Sequence, residues 1–549
     1  MSTTWEHLAA EKRGRIDKSI PSEWKISKPT QASVMDVPAN SGILSAEELK
    51  ITESTATDLV NKLAKGELKA VDVTLAFCKR AALAHQLVNC ALEFFPEAAL
   101  AQAKELDEYF EKNQKPVGPL HGLPISLKDQ ARVRGIETSM GYIDWIGNYE
   151  TSDSVIVTLL RKAGAVFYVK TSVPQTLMVC ETVNNIIGRT VNPRNNNWSC
   201  GGSSGGEGAI IGIRGGVIGV GTDIGGSIRV PSAFNFLYGI RPSHGRLPYA
   251  RLANSMEGQE TVHSVVGPIA HSAADLRLFL TSVLREEPWS YDPKVIPIPW
   301  RSQEEEETKK KFKSGGLNLG FFNCDGNVLP HPPVLRAVDV VVSTLEKNGH
   351  NIIPWTPYKH DFAVNMINGI YAADGSTDVY RDINASGEPA IPNIRDLLNP
   401  NNPKIDLNEL WDVHLQKWAY QSEYLSQWRL AEEQLGADKT LDAIIAPITP
   451  TAAIRHNRFK YYGYASVVNL LDFTSVVVPV TFADKKVDAK KRGYEPLNEI
   501  DKEMQEEYDP DAYHGAPVAV QVIGRRLSEE KTLAIAEEVG RLLGNVVTP

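Results

Sequence analysis

The sequence predicts an α/β protein, built on a large mixed, mostly parallel β-sheet with helices covering both faces. Three observations predict it. From Gly118 onward, strand and helix patterns alternate: "LPISLKD" reads as a buried strand, "SVIVTLLRKAGA" as a helix and "VFYVKT" as the next strand. Such alternation signals βαβ units whose sheet is covered on both sides. Three late segments, "DAIIAPITP", "TSVVVPVTF" and "VAVQVIG", are again apolar, β-branched and bounded by turns. Finally, 549 residues exceed the roughly 250–300 that one core usually holds, which calls for two domains or one very large sheet.

The elements follow in order. Residues 4–19 carry helical spacing (Trp5, Leu8, Ala9, Ile16) and stop at Pro21, and residues 22–42 are extended and punctuated by Pro29, Pro38 and Gly42. Residues 1–45 are therefore read as an N-terminal helical arm lying on the body, and 46–549 as one large domain. Ser45 with Glu48 marks a capped helix start, and another helix runs from Val71 after a stop at Gly66. Pro96 to Asn113 forms a further helix. "GAIIGIRGG" reads as a helix entering a turn, and "VIGVGTD" as a strand of small residues. Residues 528–544 form a capped amphipathic helix. Two charged, apolar-poor stretches near 301–315 and 484–510 are read as surface insertions.

Composition narrows the function. Net charge is -9, without the basic stripe that nucleic acid would demand. The five cysteines are scattered, and no CxxC or Cys/His cluster suggests a metal. Few, unpaired cysteines fit a reducing compartment, and the polar N-terminus has no apolar signal core. No apolar run approaches the ~18 residues of a membrane span. The expectation is a cytoplasmic protein, with neither nucleic acid nor membrane among its partners.

Residues 200–229, "CGGSSGGEGAIIGIRGGVIGVGTDIGGSIR", hold three serines among glycines, Ser203, Ser204 and Ser227. GxSxG is satisfied twice, yet a nucleophile elbow needs a strand before its serine, and "RTVNPRNNNWSC" is a poor strand. "GVGTDIGG" misses the G-x-G-x-x-G spacing by one residue, and GxxxxGK[ST] is absent. A glycine-rich packing turn with incidental serines remains open on these residues alone. Lys128 closes the apolar strand in "GPLHGLPISLKDQ". By itself it reads as snorkelling or paired to Asp129.

Taken together, "GLPISLKD", "CGGSSGGEG", "GTDIGGSIR", "DAIIAPITP" and "HGAPVAVQVIGRR" strongly resemble the amidase signature hydrolases, in family order from about residue 50 to the end. "TWEHLAAEKR" at the N-terminus is similar to the opening of fungal members. The resemblance implies an amidase signature catalytic domain over 46–549. It makes Ser227 the nucleophile, Ser203 the bridging serine on a cis peptide after Gly202, and Lys128 the base. It also implies an acyl-enzyme and a small-molecule amide substrate, with no metal or organic cofactor.

Physical chemistry makes those roles coherent. A serine hydroxyl needs an adjacent base to become a nucleophile. Lysine serves only when neutral, and burial lowers its usual value of about 10.4 by roughly 3 units or more. Backbone N–H groups of Ile224, Gly225, Gly226 and Ser227 are expected to form the oxyanion hole. Ser204 is expected to hydrogen-bond within this network. Asp223 and Arg229 either brace the loop or form a purely structural salt bridge. His121 lies seven residues before Lys128 but belongs to a motif in which histidine is not the base, and His244 and His514 are read as loop residues.

For the acyl group, "TLMVCE" should run beside the scissile carbonyl, so that Leu177 and Val179, with Ser203, contact a small aliphatic acyl group. Trp411, Trp418, Tyr424 and Trp428 read as core packing, with a pocket wall or subunit contact left open; a homodimer is allowed for. The resemblance implies hydrolysis of short aliphatic carboxamides such as acetamide. Aryl amides or anilides are the alternative substrates, and a catalytically inactive binding module is the alternative of another class.

Overall fold

The computed structural model describes residues 4–27, 29–437 and 439–544. The first three residues of the expected arm and the last five of the expected catalytic domain lie outside the described residues.

Three strands come first: β1 (Ala91–Phe94), β2 (Pro124–Lys128) and β3 (Val166–Thr171). Two small hairpins follow outside the main sheet, β4 (Val183–Asn184) with β5 (Gly188–Arg189), and β6 (Val191–Asn192) with β7 (Asn195–Ser199). Next are β8 (Ile218–Asp223), β9 (Tyr238–Arg241), β10 (Val265–Ala270), β11 (Asn318–Phe321) and β12 (Asn351–Pro354). The last are β13 (Ala443–Pro447), β14 (Thr474–Phe482) and β15 (Pro517–Gly524). Eleven of these make one sheet, in the order β1-β3-β2-β8-β10-β9-β14-β15-β13-β11-β12.

The sheet is mixed, but the expectation of mostly parallel strands is corrected. Only β2–β3, β2–β8, β11–β12 and β11–β13 are parallel; the other neighbouring pairs are antiparallel. The reason lies in what a strand–helix–strand pattern encodes. It sets the direction of two strands and leaves their adjacency open. Strands β8 and β9 run the same way, joined through the helix Arg229–Phe234, yet β10 enters antiparallel between them. Strand β15 does the same between β13 and β14, whose connection carries the helix Gly463–Leu471.

The parallel trio β3-β2-β8 positions the site. Its strands are buried along their whole length, and the register sets Leu127 beside Val220. Lys128, Thr222 and Asp223 thus emerge together at the carboxyl ends of adjacent parallel strands, where open α/β sheets bind their ligands.

The N-terminal helix, Trp5–Lys18, is tied to this region by charge. Lys12 is buried, reaching Glu93 and, at 2.6 Å, Glu137, while Arg15 reaches Glu137 at 2.8 Å. The charged segments 301–315 and 484–510 are also pinned. The helix Ser302–Lys313 buries Phe312 and pairs Glu305 with Arg277, and Asp488 is buried against Arg336 at 2.7 Å. No described helix is long and apolar enough to cross a membrane.

Candidate active site

Lys128 is 1% exposed, its Nζ 2.8 Å from Ser203 Oγ and 2.7 Å from Thr222 Oγ1. Thr222 donates its own O–H to Gln130 Oε1 at 2.6 Å, so it offers the amine only a lone pair. One N–H is thereby held on Thr222, and the lone pair of a neutral amine is free to take the proton of Ser203. The neighbouring Asp129 pairs instead with Lys170 at 3.3 Å. Among the described residues no ion pair reaches Lys128. Burial lowers its pKa to about 7, opposed by the charges of Asp223 and Glu207.

The serine loop lies beneath. The Gly202–Ser203 peptide is cis. Ser204 donates its N–H to the Ser227 carbonyl at 3.1 Å, and its hydroxyl donates to Thr222 O and accepts from Thr222 N, both at 3.2 Å. This bonding stitches the two serine motifs together. The expectation of a poor strand before the serines is corrected: residues 195–199 are strand β7. It pairs with β6 outside the main sheet and bridges Arg455 through Trp198, so the serines do not crown the sheet as an elbow would require.

The helix Gly205–Gly212 packs directly on the parallel trio. Its Glu207 is buried, accepting from Ser126 Oγ at 2.5 Å and Thr171 Oγ1 at 2.8 Å, and burial raises its pKa to about 8. Gly219 makes room for it, since a Cβ there would fall 1.7 Å from Glu207 Oε2.

After β8 the chain turns through Ile224–Ser227. The Asp223 carboxylate accepts from Gly226 N at 2.8 Å, Ile228 N at 3.1 Å, and Arg229 Nε and Nη2 at 3.0 Å each. Asn469 donates to the same carboxylate at 2.8 Å and accepts from Arg229 at 2.6 Å. Burial would raise the Asp223 pKa, but the Arg229 guanidinium more than reverses this, holding it well below the usual carboxylate range. The pair is therefore both a buried ion pair and a brace for the loop. One expectation is corrected here. Gly226 cannot be counted as a free oxyanion donor, because the carboxylate captures its N–H. The N–H groups of Ile224, Gly225 and Ser227 meet no acceptor among the described residues.

Ser227 opens onto a cavity of about 180 Å³. It is lined by Leu177, Met178, Val179 and Cys180, by Ile224 and Gly225, and by Tyr371, Phe459 and Tyr462, among others. Leu177 and Val179 line the same cavity as Ser227. Ser203 is not among the residues that line it, and its hydroxyl accepts from Lys128 Nζ. Burial raises the Cys180 thiol to about 12, leaving it unsuited as a nucleophile.

The aromatic series divides on the helix Leu407–Leu435. Tyr424 and Trp428 are buried against Trp355, at ring separations of 5.7 and 5.6 Å. Trp411 and Trp418 are 55% and 68% exposed. None lines the cavity. His121 is packed against Phe110, His244 against His263, and His514 reaches Asp484 at 3.8 Å.

Sequence reasoning missed Thr222, Gln130, Tyr371 and Tyr462. The first two stand within the motif strings that revealed the serines and Lys128. The tyrosines carry no local signal, arriving only through tertiary packing.

Comparison with known proteins adds four findings. Residues 72–533 match the family described as Amidase. The acetamidase of Emericella nidulans is 73% identical, covering all of both chains. The acetamidase of Aspergillus oryzae is 70% identical over 99% of this chain and all of its own. Among solved structures, a fatty acid amide hydrolase superposes with a TM-score of 0.92 at 34% identity, covering 98% of this chain and 95% of that one.

Proposed function

The chain belongs to the amidase family and is an amide hydrolase, and from that premise we propose that it cleaves short aliphatic carboxamides such as acetamide, with Ser227 as nucleophile, Ser203 as bridging serine and Lys128 as base. The observation that carries the reading is a buried amine 2.8 Å from a serine hydroxyl, with no carboxylate among the described residues paired to it. The high identity to two acetamidases supports the substrate class.

The chemistry proceeds in two halves. Ser227 Oγ attacks the amide carbonyl, and its proton passes through Ser203 to neutral Lys128. The N–H groups of Ile224, Gly225 and Ser227 stabilise the resulting oxyanion, each such donor being worth about 3 kcal/mol. Collapse breaks the C–N bond, with Lys128 returning the proton through Ser203 to the departing nitrogen. The acyl-enzyme and ammonia result. Water, deprotonated by the same relay, then frees the carboxylate and restores Ser227. Asp223 and Arg229 keep the donor loop in shape, and Ser204 locks it to the serine loop.

A kinetic panel from formamide through acetamide and butyramide to benzamide and acetanilide tests the substrate reading. Maximal kcat/KM is expected at acetamide or its nearest neighbours. A maximum at acetanilide would replace the acetamide reading with the aryl one. Mass-spectrometric mapping of a fluorophosphonate label tests the nucleophile, expected on Ser227; a label on Ser203 would overturn it.

A further inference from the structure

Tyr371 ends the helix His360–Tyr371 and is buried. Its hydroxyl donates to the carbonyl oxygen of Ile224 at 2.8 Å, and Tyr371 lines the same cavity as Leu177 and Val179. The contact with the loop is close: a Cβ on Gly225 would lie 3.3 Å from the Tyr371 oxygen. In a trans peptide the C=O of one residue and the N–H of the next are rigidly coplanar and point in opposite directions. A hydrogen bond on the Ile224 carbonyl therefore fixes the direction of the Gly225 N–H.

The neighbouring peptides are anchored differently. Asp223 holds Gly226 N at 2.8 Å and Ile228 N at 3.1 Å. That carboxylate fixes the far side of the turn and does not touch the Ile224–Gly225 peptide. Burial keeps the Tyr371 hydroxyl protonated far above its ordinary range, so its donor is present at any working pH.

We propose that Tyr371 is a positioning residue for the hydrolysis: its hydroxyl orients the Ile224–Gly225 peptide so that the Gly225 N–H is aimed at the oxyanion, while its ring serves as cavity wall. The proposal rests on the Ser227 reading above. It separates two jobs of one side chain, which substitution can take apart. Phenylalanine keeps the wall and removes the bond. Alanine removes both.

The test compares wild type, Tyr371→Phe and Tyr371→Ala with acetamide, rates being normalised to sites that react with a fluorophosphonate. Methylboronic acid is the second probe, because its adduct on Ser227 places an oxygen where the oxyanion forms. For Tyr371→Phe, kcat is expected to fall about 10-fold or more with KM within about 3-fold, since the lost alignment acts on the transition state. The inhibition constant of methylboronic acid should rise by the same factor as kcat/KM falls. Tyr371→Ala should add a rise in KM and a gain of butyramide relative to acetamide. Unchanged kcat and boronate affinity in Tyr371→Phe would overturn the proposal. So would complete loss of fold, because a bond that only aims one peptide does not hold up the chain. Absence of any label on Ser227 in wild type would instead bring down the underlying nucleophile reading, a distinguishable outcome.

Discussion

Asp129 Oδ1 lies 3.3 Å from Lys170 Nζ, so the carboxylate next to Lys128 in the chain is paired elsewhere, and among the described residues no ion pair reaches Lys128. Lys128 is the last residue of β2 and Asp129 the first of the turn that follows, closed by the bond from Ala131 N to Lys128 O at 2.8 Å. Asp129 goes toward Lys170, and its other oxygen accepts the N–H groups of Ser139 and Met140 at 2.9 and 2.7 Å. Lys128 goes toward Ser203 and Thr222. The obvious local counterion is thus consumed elsewhere, and a buried amine without one prefers to be neutral. Burial is the largest cause of the lowered Lys128 pKa, opposed by the charges of Asp223 and Glu207.

The pH dependence of turnover follows directly. Lys128 titrates at about 7, and the proposed mechanism uses its neutral form. kcat/KM for acetamide should rise with pH, losing about tenfold for each unit below 7 and levelling above it. Between pH 5 and pH 8 the expected gain is about 100-fold. Initial rates of ammonia release across this range check it; a profile flat down to pH 5 would remove Lys128 from the base's role.

The same shift has a stability consequence of known sign. The folded pKa lies below the unfolded one, so the unfolded chain holds the extra proton between about 7 and 10.5, and stability rises with pH through that window. Below 7 the full penalty of the buried amine is present, on the order of 4 kcal/mol. Lys128→Met removes it but leaves the buried Ser203 hydroxyl without its amine partner, at about 1–3 kcal/mol, while Thr222 keeps its bond to Gln130. The variant should therefore be inactive yet about 1–3 kcal/mol more stable than wild type at pH 7, the difference reversing sign by pH 10.5, where the amine's penalty is nearly gone and the stranded hydroxyl still costs. Urea midpoints at the two pH values measure this, and a variant less stable at pH 7 than at pH 10.5, relative to wild type, would contradict it.

How much of this was legible before folding depends on sequence range. Lys128, Ser203 and Ser227 stand in short strings whose glycines and flanking strands announce them, and β2, β3 and β8 show as apolar runs. Thr222 was readable in principle, two residues inside "GVGTD", but a threonine in a strand is ordinary. Tyr371 and Tyr462 are brought to the cavity across more than 140 residues, and no local pattern encodes that closure. The antiparallel entry of β10 and β15 is invisible for a related reason: a strand's own residues state that it is buried and not which gap it fills. The fate of the Gly226 N–H turns on rotation of one peptide toward Asp223, far below the resolution of motif reasoning.

The Asp223–Arg229 pair gives a third prediction. Both groups are fully buried and joined by two hydrogen bonds of 3.0 Å. Removing one partner of a buried pair leaves an uncompensated charge, at about 3–5 kcal/mol. Arg229→Met should lose that much stability at pH 7, and the double variant Asp223→Asn/Arg229→Met should recover part of it. Both should lose turnover, because the carboxylate no longer shapes the donor loop. Denaturant unfolding of the two variants decides the point, and an Arg229→Met protein within about 1 kcal/mol of wild type would show the pair to be dispensable.

Two glycines of one helix, Gly205–Gly212, should respond oppositely to the same substitution. A Cβ on Gly206 would fall 2.4 Å from Ser172 N and 2.5 Å from Ser172 O, backbone atoms fixed by the bond from Gly206 N to Ser172 O at 3.0 Å. Neither side can yield without moving the helix off the sheet, and Glu207 and Ser204 move with it. A Cβ on Gly212 would meet nothing nearer than 3.3 Å, the Asn235 side chain first. Alanine also favours a helix over glycine by about 1 kcal/mol. Gly206→Ala is therefore expected to cost about 3 kcal/mol or more, at the upper end for overpacking, with loss of acetamide turnover. Gly212→Ala should fall within about 1 kcal/mol of wild type and keep its activity. Expression, thermal unfolding and ammonia release on the two variants side by side would test the close approach, which equal behaviour would disprove.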